Sequence, residues 1–422
     1  MKKSIYTINR KVNNSNDVIL LNTVTGASMI MSEKLYLNLD STDDNELINA
    51  CIKNGFLVDD DYDEQLFVNT VRYANNYNES SMSTFVIIPT TACNARCVYC
   101  YENGLNYTYM SKKTAEQTVK FIISSSLGND IKLMWFGGEP LMAIDTIDFI
   151  SNRILSSLKA GQKYNSSMIS NGSLITDSVI DKMVGVWNCS RVQISLDGFA
   201  DEYARRKRYT VHVGYDSIIE NINRLSSKGI QVAIRLNFDR CNYDEILKLI
   251  GHLSDNIEDK KLISVYAIPL FPPSTEKEKG KYFKPEELDD IYERIYNELI
   301  NAGFIHSVDY FAVGLKSHFC SAMKLQHSVI STSGDLYKCQ HINAVCNRPI
   351  GDVYKGAKLC YNHGGWINPT MDKKCADCVF LPMCQGGCRA SSTEAVFGCC
   401  LLKYTVNSTL HAIRLLNERR RK

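Results

Sequence analysis

Pro89 to Glu102 reads PTTACNARCVYCYE, and its three cysteines, Cys93, Cys97 and Cys100, decide how the rest of the chain is read. A cubane iron–sulfur cluster takes one protein thiolate per iron. This C-x3-C-x2-C run offers three thiolates from one loop. It leaves the fourth iron open to a small molecule that carries both an amine and a carboxylate. Zinc in a structural role takes four ligands, often as two separated pairs, which this run does not supply. The run follows the apolar stretch 85–89 (FVIIP), which reads as a strand, so the cysteines fall on the loop at that strand's C-terminal end. Barrels of alternating strands and helices place their chemistry at that end.

Outward from the triplet, short apolar strands alternate with helical patterns. Strands are expected at 84–88, 132–136, 166–170, 192–196, 231–237 and 262–268, and helices at 113–125, 144–158, 177–184, 215–228 and 243–253. Six such units predict an α/β fold with a parallel sheet covered by helices. Triplet and units together resemble the radical S-adenosylmethionine (SAM) enzymes, down to the aromatic Tyr99 before the third cysteine. The resemblance implies a partial (β/α)6 barrel, open on one side, and a [4Fe–4S] cluster with SAM.

The same resemblance assigns cofactor contacts. WFGGEP, Trp135 to Pro140, follows the second strand. Paired glycines let a backbone approach a ligand closely, and Glu139 offers a carboxylate to an ammonium group. In the family this segment (Gly137, Gly138, Glu139 and Pro140 here) binds the methionyl amine. Ser170 and Asn171 end the third strand, and Ser195 and Asp197 end the fourth. The family gives such positions to the ribose and the methionyl carboxylate. Arg235 and Asn237 alternate on the fifth strand and share a face; Arg235 can clamp a carboxylate with two donors or form a salt bridge on the barrel wall. One stretch departs from the family. Relatives often carry a His-Asp pair and an arginine after the DG step, whereas this chain has DEYARRKRY, Asp201 to Tyr209, which receives no role.

Beyond about residue 307 the texture turns to loops and cysteines. Cys320 is followed by 13 residues, Gly334, four residues and Cys339; then Cys375, Cys378, Cys384 and Cys388 form C-x2-C-x5-C-x3-C, before Cys399 and Cys400. This pattern resembles the SPASM extension of radical SAM enzymes, which implies two auxiliary iron–sulfur clusters. By that resemblance Cys375, Cys378, Cys384 and one of Cys399 or Cys400, with Cys400 preferred, hold the outer cluster. Cys320, Cys339 and Cys388 hold the inner one, with Cys346 and Cys360 as possible fourth ligands or an iron left open for a substrate thiolate. Cys51, Cys189 and Cys241 fall outside every motif and read as small core residues.

The expected organisation is a small α+β unit at 1–80, a core at 81–306, a loop-rich cysteine cluster domain at 307–405, and a C-terminal helix at 406–422 whose RRRK end is solvated. In the first unit, 17–22 and 28–31 read as a hairpin across Thr25-Gly26, and Leu47, Ile48, Cys51 and Ile52 line a helix. It resembles the winged-helix peptide-recognition domains of enzymes that modify ribosomal peptides; the other reading is a cap on the barrel.

Composition is that of an ordinary globular chain, with 45% hydrophobic and 22% charged residues in 422. The formal net charge of +2 predicts neither nucleic acid nor an anionic membrane surface as partner. The start, MKKSIYTINRKVNN, lacks the apolar stretch of a signal peptide. Sixteen cysteines gathered into motifs then point to metal in a cytoplasmic, anaerobic setting rather than to disulfides. The resemblance implies an oxidoreductase that forms a 5′-deoxyadenosyl radical, takes hydrogen from a ribosomal precursor peptide or protein and installs a thioether or carbon crosslink. A flavodoxin or ferredoxin would supply electrons. The alternative is an anaerobic sulfatase-maturing enzyme that makes formylglycine. Against it stand the position of the triplet, far from the start of the chain, and Gln340, where that family carries an aspartate after the second SPASM cysteine.

Overall fold

The computed structural model describes residues 1–12, 15–77, 82–271, 280–316, 318–342, 347–357, 359–367, 373–390 and 399–421. Its centre is six parallel strands in chain order: β6 (Thr84–Ile87), β7 (Ile131–Trp135), β8 (Tyr164–Ser170), β9 (Cys189–Leu196), β10 (Gln231–Phe238) and β11 (Ile263–Pro269). Between them run α4 (Lys112–Ser126), α5 (Ile144–Leu155), α6 (Asp177–Val184), α7 (Ala200–Lys207), α8 (Tyr215–Ser227) and α9 (Tyr243–Asn256). The expected strands and helices all form. The strands are largely buried on both faces, as parallel strands under helices are, with exposure confined to residues near their N-terminal ends such as Lys132, Asn165, Ser190, Arg191, Gln231 and Ser264. Polar caps start α4 and α6, with Ser111 accepting from the Thr114 N–H and Thr176 from the Val179 N–H.

The barrel is open. β11 pairs only with β10, and the far side of β6 is taken by a strand from the C-terminal region. That strand, β12 (Ser328–Ile330), runs parallel to β6 with Val329 opposite Val86. It turns antiparallel into β13 (Asp335–Tyr337), followed by β14 (Gly351–Asp352) and β15 (Gly356–Ala357). The core sheet thus crosses the boundary expected near residue 306 and carries Cys339 at its continuation.

The N-terminal unit holds β1 (Lys2–Lys3), β2 (Thr7–Lys11), β3 (Asp17–Asn22), β4 (Ser28–Ser32), α1 (Glu33–Leu37), α2 (Asn45–Lys53), β5 (Leu57–Val58) and α3 (Glu64–Tyr77). β2, β3 and β4 form an antiparallel sheet with β4 at its edge. One face, with Val18, Leu20 and Met31, packs on Cys51, Phe56 and Leu57. The other, with Ile8, Ile19 and Leu21, packs on Phe380, Cys384, Val406 and Leu410. The sheet thus rests on the C-terminal cysteine region. Thr23 donates to the Val379 carbonyl (2.6 Å) and Gln65 to the Ala376 carbonyl (3.2 Å). Gly26, with φ +75°, turns the β3–β4 hairpin so close to Val313 that an added Cβ would lie 2.3 Å from its carbonyl oxygen.

One expectation about the C-terminal half holds and one about the cysteines is corrected. The final helix, α14 (Val406–Arg421), packs Ala412 and Leu416 into the main core beside α10 (Leu288–Asn301). Its basic end is exposed, as expected, with Arg419 donating to the Ile300 carbonyl and to Asn301, and Arg420 to Ser307. Cationic side chains near the last carbonyls of α10 complement that helix end. Cys51 and Cys189 are buried, but Cys241 is exposed, because it lies on the turn after β10, with its N–H held by Asp239. Among the described residues no helix is long and apolar enough to cross a membrane.

Truncating Leu21 to alanine should cost about 2–5 kcal/mol, since its buried side chain faces Phe380 and Cys384. Chemical denaturation would report the loss. Hydrogen exchange should show faster opening at residues 378–384 than at β7–β9.

Candidate cofactor and cluster site

All six parallel strands end on one rim, and the triplet loop occupies it. The loop folds back on itself: Thr90 and Thr91 side chains donate to the Thr108 and Asn106 carbonyls, and Met110 N–H to the Pro89 carbonyl. Arg96 ties its own loop by donating to the Cys93 and Ala95 carbonyls, with its guanidinium 4.8 Å from the centre of the Tyr107 ring. The N–H groups of Arg96 and Val98 then donate to the carbonyls of Lys207 and Arg206 (2.9 and 3.0 Å) at the C-terminus of α7, where a helix has carbonyls without partners. All three triplet thiols are half-buried. Burial raises their pKa, that of Cys93 to about 12, so a metal has to displace their protons.

The WFGGEP turn docks on the residues that lead into the triplet. A Cβ on Gly137 (φ +128°) would sit 2.3 Å from the Thr90 carbonyl oxygen, and one on Gly138 2.3 Å from that of Ala92. What comes close to these glycines is therefore the triplet loop's own backbone. The Gly138 and Glu139 N–H groups donate to the same two carbonyls. Glu139 lies in the same turn. Its carboxylate is fully buried and accepts from Leu141 N–H, Ser170 Oγ and Asn171 N–H, which turns it inward. Burial pushes its pKa up, and those three donors pull it back down in part. Pro140 opens a buried 3-10 turn, 140–143. Asn171 donates to Asn94 (2.8 Å), with its amide nitrogen 4.0 Å from Cys93 Sγ. Gly137, Gly138, Glu139, Pro140, Ser170 and Asn171 thus gather on the Cys93 side of the loop.

Tyr99, Ser195 and Asp197 gather on the Cys97 side, around a residue that sequence reasoning passed over. Lys207 is 1% exposed and pairs with Asp197, 0% exposed, at 2.8 Å. Its ammonium also donates to Ser195 Oγ (2.7 Å) and Tyr99 Oη (2.9 Å). Tyr99 donates to Asp197 Oδ2 (2.6 Å), and Asn237 to Asp197 Oδ1 (2.9 Å). Asp197 and Ser195, expected to meet a ribose or a carboxylate, both take part in this network. Burial would lower the Lys207 pKa, but Asp197 and Tyr99 hold it well above the ordinary lysine value. Arg206 makes a second buried pair with Asp239 at 2.9 Å. Arg235 keeps its guanidinium beside Asn237, donating from Nε (2.9 Å). The DEYARRKRY stretch without an assigned role is this helix and its end. The readable signal was Glu202 four residues before Arg206, an i,i+4 ion pair.

The C-terminal cysteines fall into two groups. Cys320, Cys339 and Cys388 pack on one small apolar cluster of Ala322, Trp366 and Ala390. Cys384 is buried in another, with Cys378 and Cys400 against it, and Cys375 packs nearby on Tyr6, Val68 and Leu381. Cys384 shares a hydrogen bond with Cys400, whereas Cys399 accepts from Lys403 Nζ (3.7 Å). Cys360 is exposed beside His363, and Cys346 lies outside the described residues. Among the described residues no three His, Cys, Asp or Glu side chains converge on one point; a cubane spreads its thiolates over separate irons and does not ask them to.

Residues 87–253 match the Radical SAM superfamily model. The chain carries a radical SAM domain. It is 22% identical over 396 residues to the radical SAM cyclopropyl synthase TigE of Paramaledivibacter caminithermalis, covering 83% of this chain and 77% of that protein. It is 23% identical over 340 residues to the serine-type anaerobic sulfatase-maturating enzyme of Bacteroides thetaiotaomicron, 70% of this chain and 80% of that one. Other matches are shorter: an uncharacterized protein of Methanocaldococcus jannaschii aligns at 30% identity over 28% of this chain and 39% of its own length. In fold the chain resembles Streptococcus suis SuiB, solved bound to precursor peptide SuiA, with a TM-score of 0.56 at 14% identity over 93% of this chain and 96% of that one.

A radical SAM domain takes a [4Fe–4S] cluster with SAM, and the residues present fit it. Three thiols stand on one loop at the strand C-termini, half-buried, with the Lys207 ammonium bonded to the Tyr99 hydroxyl between Cys97 and Cys100. Replacing Gly138 with alanine should force the GGEP turn off the Thr91 and Ala92 carbonyls, at a cost of about 1–3 kcal/mol. The variant should lose iron from the triplet while retaining it in the C-terminal groups, as read by iron analysis and electron paramagnetic resonance (EPR).

Proposed function

We propose that this chain is a peptide-modifying radical SAM enzyme that installs a thioether or carbon crosslink in a ribosomally made precursor. Cys93, Cys97 and Cys100 would hold the SAM cluster. Cys375, Cys378, Cys384 and Cys400 would hold an outer auxiliary cluster, and Cys320, Cys339 and Cys388 an inner one with an open or substrate-ligated iron. With SAM bound, the first cluster supplies a carbon radical able to take a hydrogen atom from an unactivated C–H bond. The observation that carries the reading is the sorting of the C-terminal cysteines into two groups, with the N-terminal sheet seated on the outer one.

The protein's own share is positioning. Lys207 and the GGEP turn hold the triplet loop from its two sides. Tyr101, next to Cys100, packs against His341, two residues past Cys339, with ring centres 4.3 Å apart and the ring planes tilted by 57°. A substrate carbon near the triplet would therefore lie close to the inner cysteines as well. The first 80 residues would bind the precursor. β4 is an edge strand, with Ile30 47% exposed on it, and an extended leader can add to such an edge through main-chain hydrogen bonds. TigE and SuiB, a cyclopropyl synthase and a protein solved with its precursor peptide, support a peptide substrate.

The likeness to the serine-type sulfatase-maturating enzyme favours a second reading, formylglycine formation in a sulfatase. Incubating the reconstituted enzyme with SAM, a flavodoxin or ferredoxin and either a cysteine-bearing precursor or a sulfatase peptide separates the two. A crosslink lowers the precursor by two hydrogens and leaves its backbone linear or looped, whereas formylglycine creates an aldehyde that hydrazide reagents trap.

Reconstitution should load about twelve irons, as three cubane clusters. Joint replacement of Cys93, Cys97 and Cys100 by alanine should remove about four of them and abolish 5′-deoxyadenosine formation. Iron confined to the triplet, with zinc in the C-terminal groups, would sink the auxiliary-cluster assignment. Placing proline at Ile30, tolerated at a sheet edge, should weaken precursor binding roughly tenfold or more by removing a main-chain donor while SAM cleavage without peptide continues. Equal loss of both would refute leader docking on β4.

A further inference from the structure

Each parallel strand turns one set of side chains to the helices and the alternate set to the space the barrel encloses. Leu133, Ile194, Ile234 and Val265 belong to the first set and to the main core. On the β6–β8 side the alternate set is apolar, with Val86, Met134 and Ile169 packed in one cluster with Val329. On the β9–β11 side it is polar: Arg235 stands in register between Ser195 of β9 and Tyr266 of β11. None of the six strands contains an Asp or a Glu, and their charged residues, Lys132, Arg191 and Arg235, all fall in the alternate set. Asp197, just past β9, is already paired with Lys207. Arg235 is half-buried, and among the described residues no carboxylate pairs with it. Its Nε donates to Asn237 Oδ1 (2.9 Å), and Asn237 is itself fixed by donating to Asp197 Oδ1 (2.9 Å). A guanidinium has five donors. Its two terminal nitrogens therefore remain open, and their fork matches the two oxygens of a carboxylate. The neighbouring Tyr266 hydroxyl is spent on Gln193 Oε1 (2.7 Å).

We propose that Arg235 is a substrate-binding residue whose terminal nitrogens take the side-chain carboxylate of an acidic residue close to the modified residue of the precursor. This rests on the peptide-modifying reading. Arg235 lies two residues, about 7 Å along the strand, from Asn237, whose amide is 3.3 Å from Tyr99 Oη in the triplet loop. A carboxylate held by Arg235 would thus keep the adjoining residues of the segment near the triplet. Lys132 and Arg191, exposed on the same set, add to the positive potential, which a cleft with low-dielectric walls focuses on an incoming anionic segment. One such clamp sets how far the segment enters and leaves its other side chains unread.

The methionyl carboxylate of SAM offers the same chemistry, so the test compares binding without SAM and with SAM saturating. The probes are acetyl-Cys-Ala-Glu-Ala-amide and its Gln and Lys counterparts, whose blocked ends leave the glutamate as the one carboxylate. Their affinity for the full-length reconstituted enzyme is measured anaerobically by equilibrium dialysis. With SAM saturating, the wild type should bind the Glu peptide on the order of tenfold more tightly than the Gln peptide, the worth of one charge-assisted contact. Arg235→Met should abolish that preference. Arg235→Glu should invert it in favour of the Lys peptide, which a loss of structure cannot do. Equal wild-type affinity for the Glu and Gln peptides overturns the proposal whether or not the variants fold, and leaves the peptide-modifying reading standing. A preference retained in Arg235→Met overturns it as well. A wild-type preference seen without SAM and lost at saturation assigns the guanidinium to the methionyl carboxylate instead, which also overturns it. A wild type that binds none of the three peptides refutes the peptide-modifying reading itself.

Discussion

The site hangs on two main-chain hydrogen bonds, from Arg96 and Val98 to the final carbonyls of α7. They join a loop rich in ligands, which cannot bury an apolar core of its own, to a helix that does. α7 in turn is anchored by Tyr203, fully buried, and by the two ion pairs at its end, Arg206 with Asp239 and Lys207 with Asp197. Buried pairs of this kind contribute little net stability against an apolar alternative, but removing one partner typically costs about 3–5 kcal/mol. Their value here is geometric. Each pair reaches a different strand, β9 for Lys207 and the end of β10 for Arg206, so the last turn of α7 cannot shift without breaking both.

Much of this architecture was legible in the sequence, for physical reasons that differ by element. The six strands and their helices carry strong apolar periodicity, and in this fold the periodic faces are the buried ones, so expected and observed bounds agree within a few residues. The triplet and the C-terminal spacing were legible because thiols at fixed intervals have few other uses. α7 was not. DEYARRKRY is polar throughout, and a lysine between two arginines reads as a solvated run. Its burial depends on Asp197, Asp239 and Tyr99, which come from distant parts of the chain. The packing of Gly137, Gly138 and Glu139 was not legible for a related reason. A glycine pair signals close approach without saying of what, and here the approaching group is the Thr90–Ala92 backbone.

The C-terminal region was the least predictable part in its placement. Its cysteines were read as a separate domain, yet β12 extends the core sheet beyond β6, α14 packs on α10, and Thr23, Gln65 and Leu21 of the N-terminal unit lie against residues 376–384. A region with so few large apolar side chains has little core of its own. It borrows one from both neighbours, and the outer cysteine group sits where the borrowing is densest. That arrangement makes removal of the N-terminal unit a poor test of its role, because the apolar surface it covers belongs to the C-terminal cysteine region.

On the proposed reading the same arrangement links the three parts of the chain in one direction. The N-terminal sheet touches the outer cysteines, and residue 388 of the inner set follows Cys384 of the outer one by a single short turn. Cys339 of the inner set leads through His341 and Tyr101 back to the triplet. A precursor held at β4 would thus be tethered to a surface that is rigidly continuous with both cysteine groups, rather than to a mobile appendage. Tethering raises the local concentration of the modified segment without adding contacts at the reacting carbon. The triplet end can then remain permissive about sequence, and selectivity can reside in the leader. That division of labour suits an enzyme that must act on one short segment of a longer peptide. It also explains why the chemistry-bearing residues around Lys207 are fully occupied with one another and leave little side-chain functionality to read a substrate.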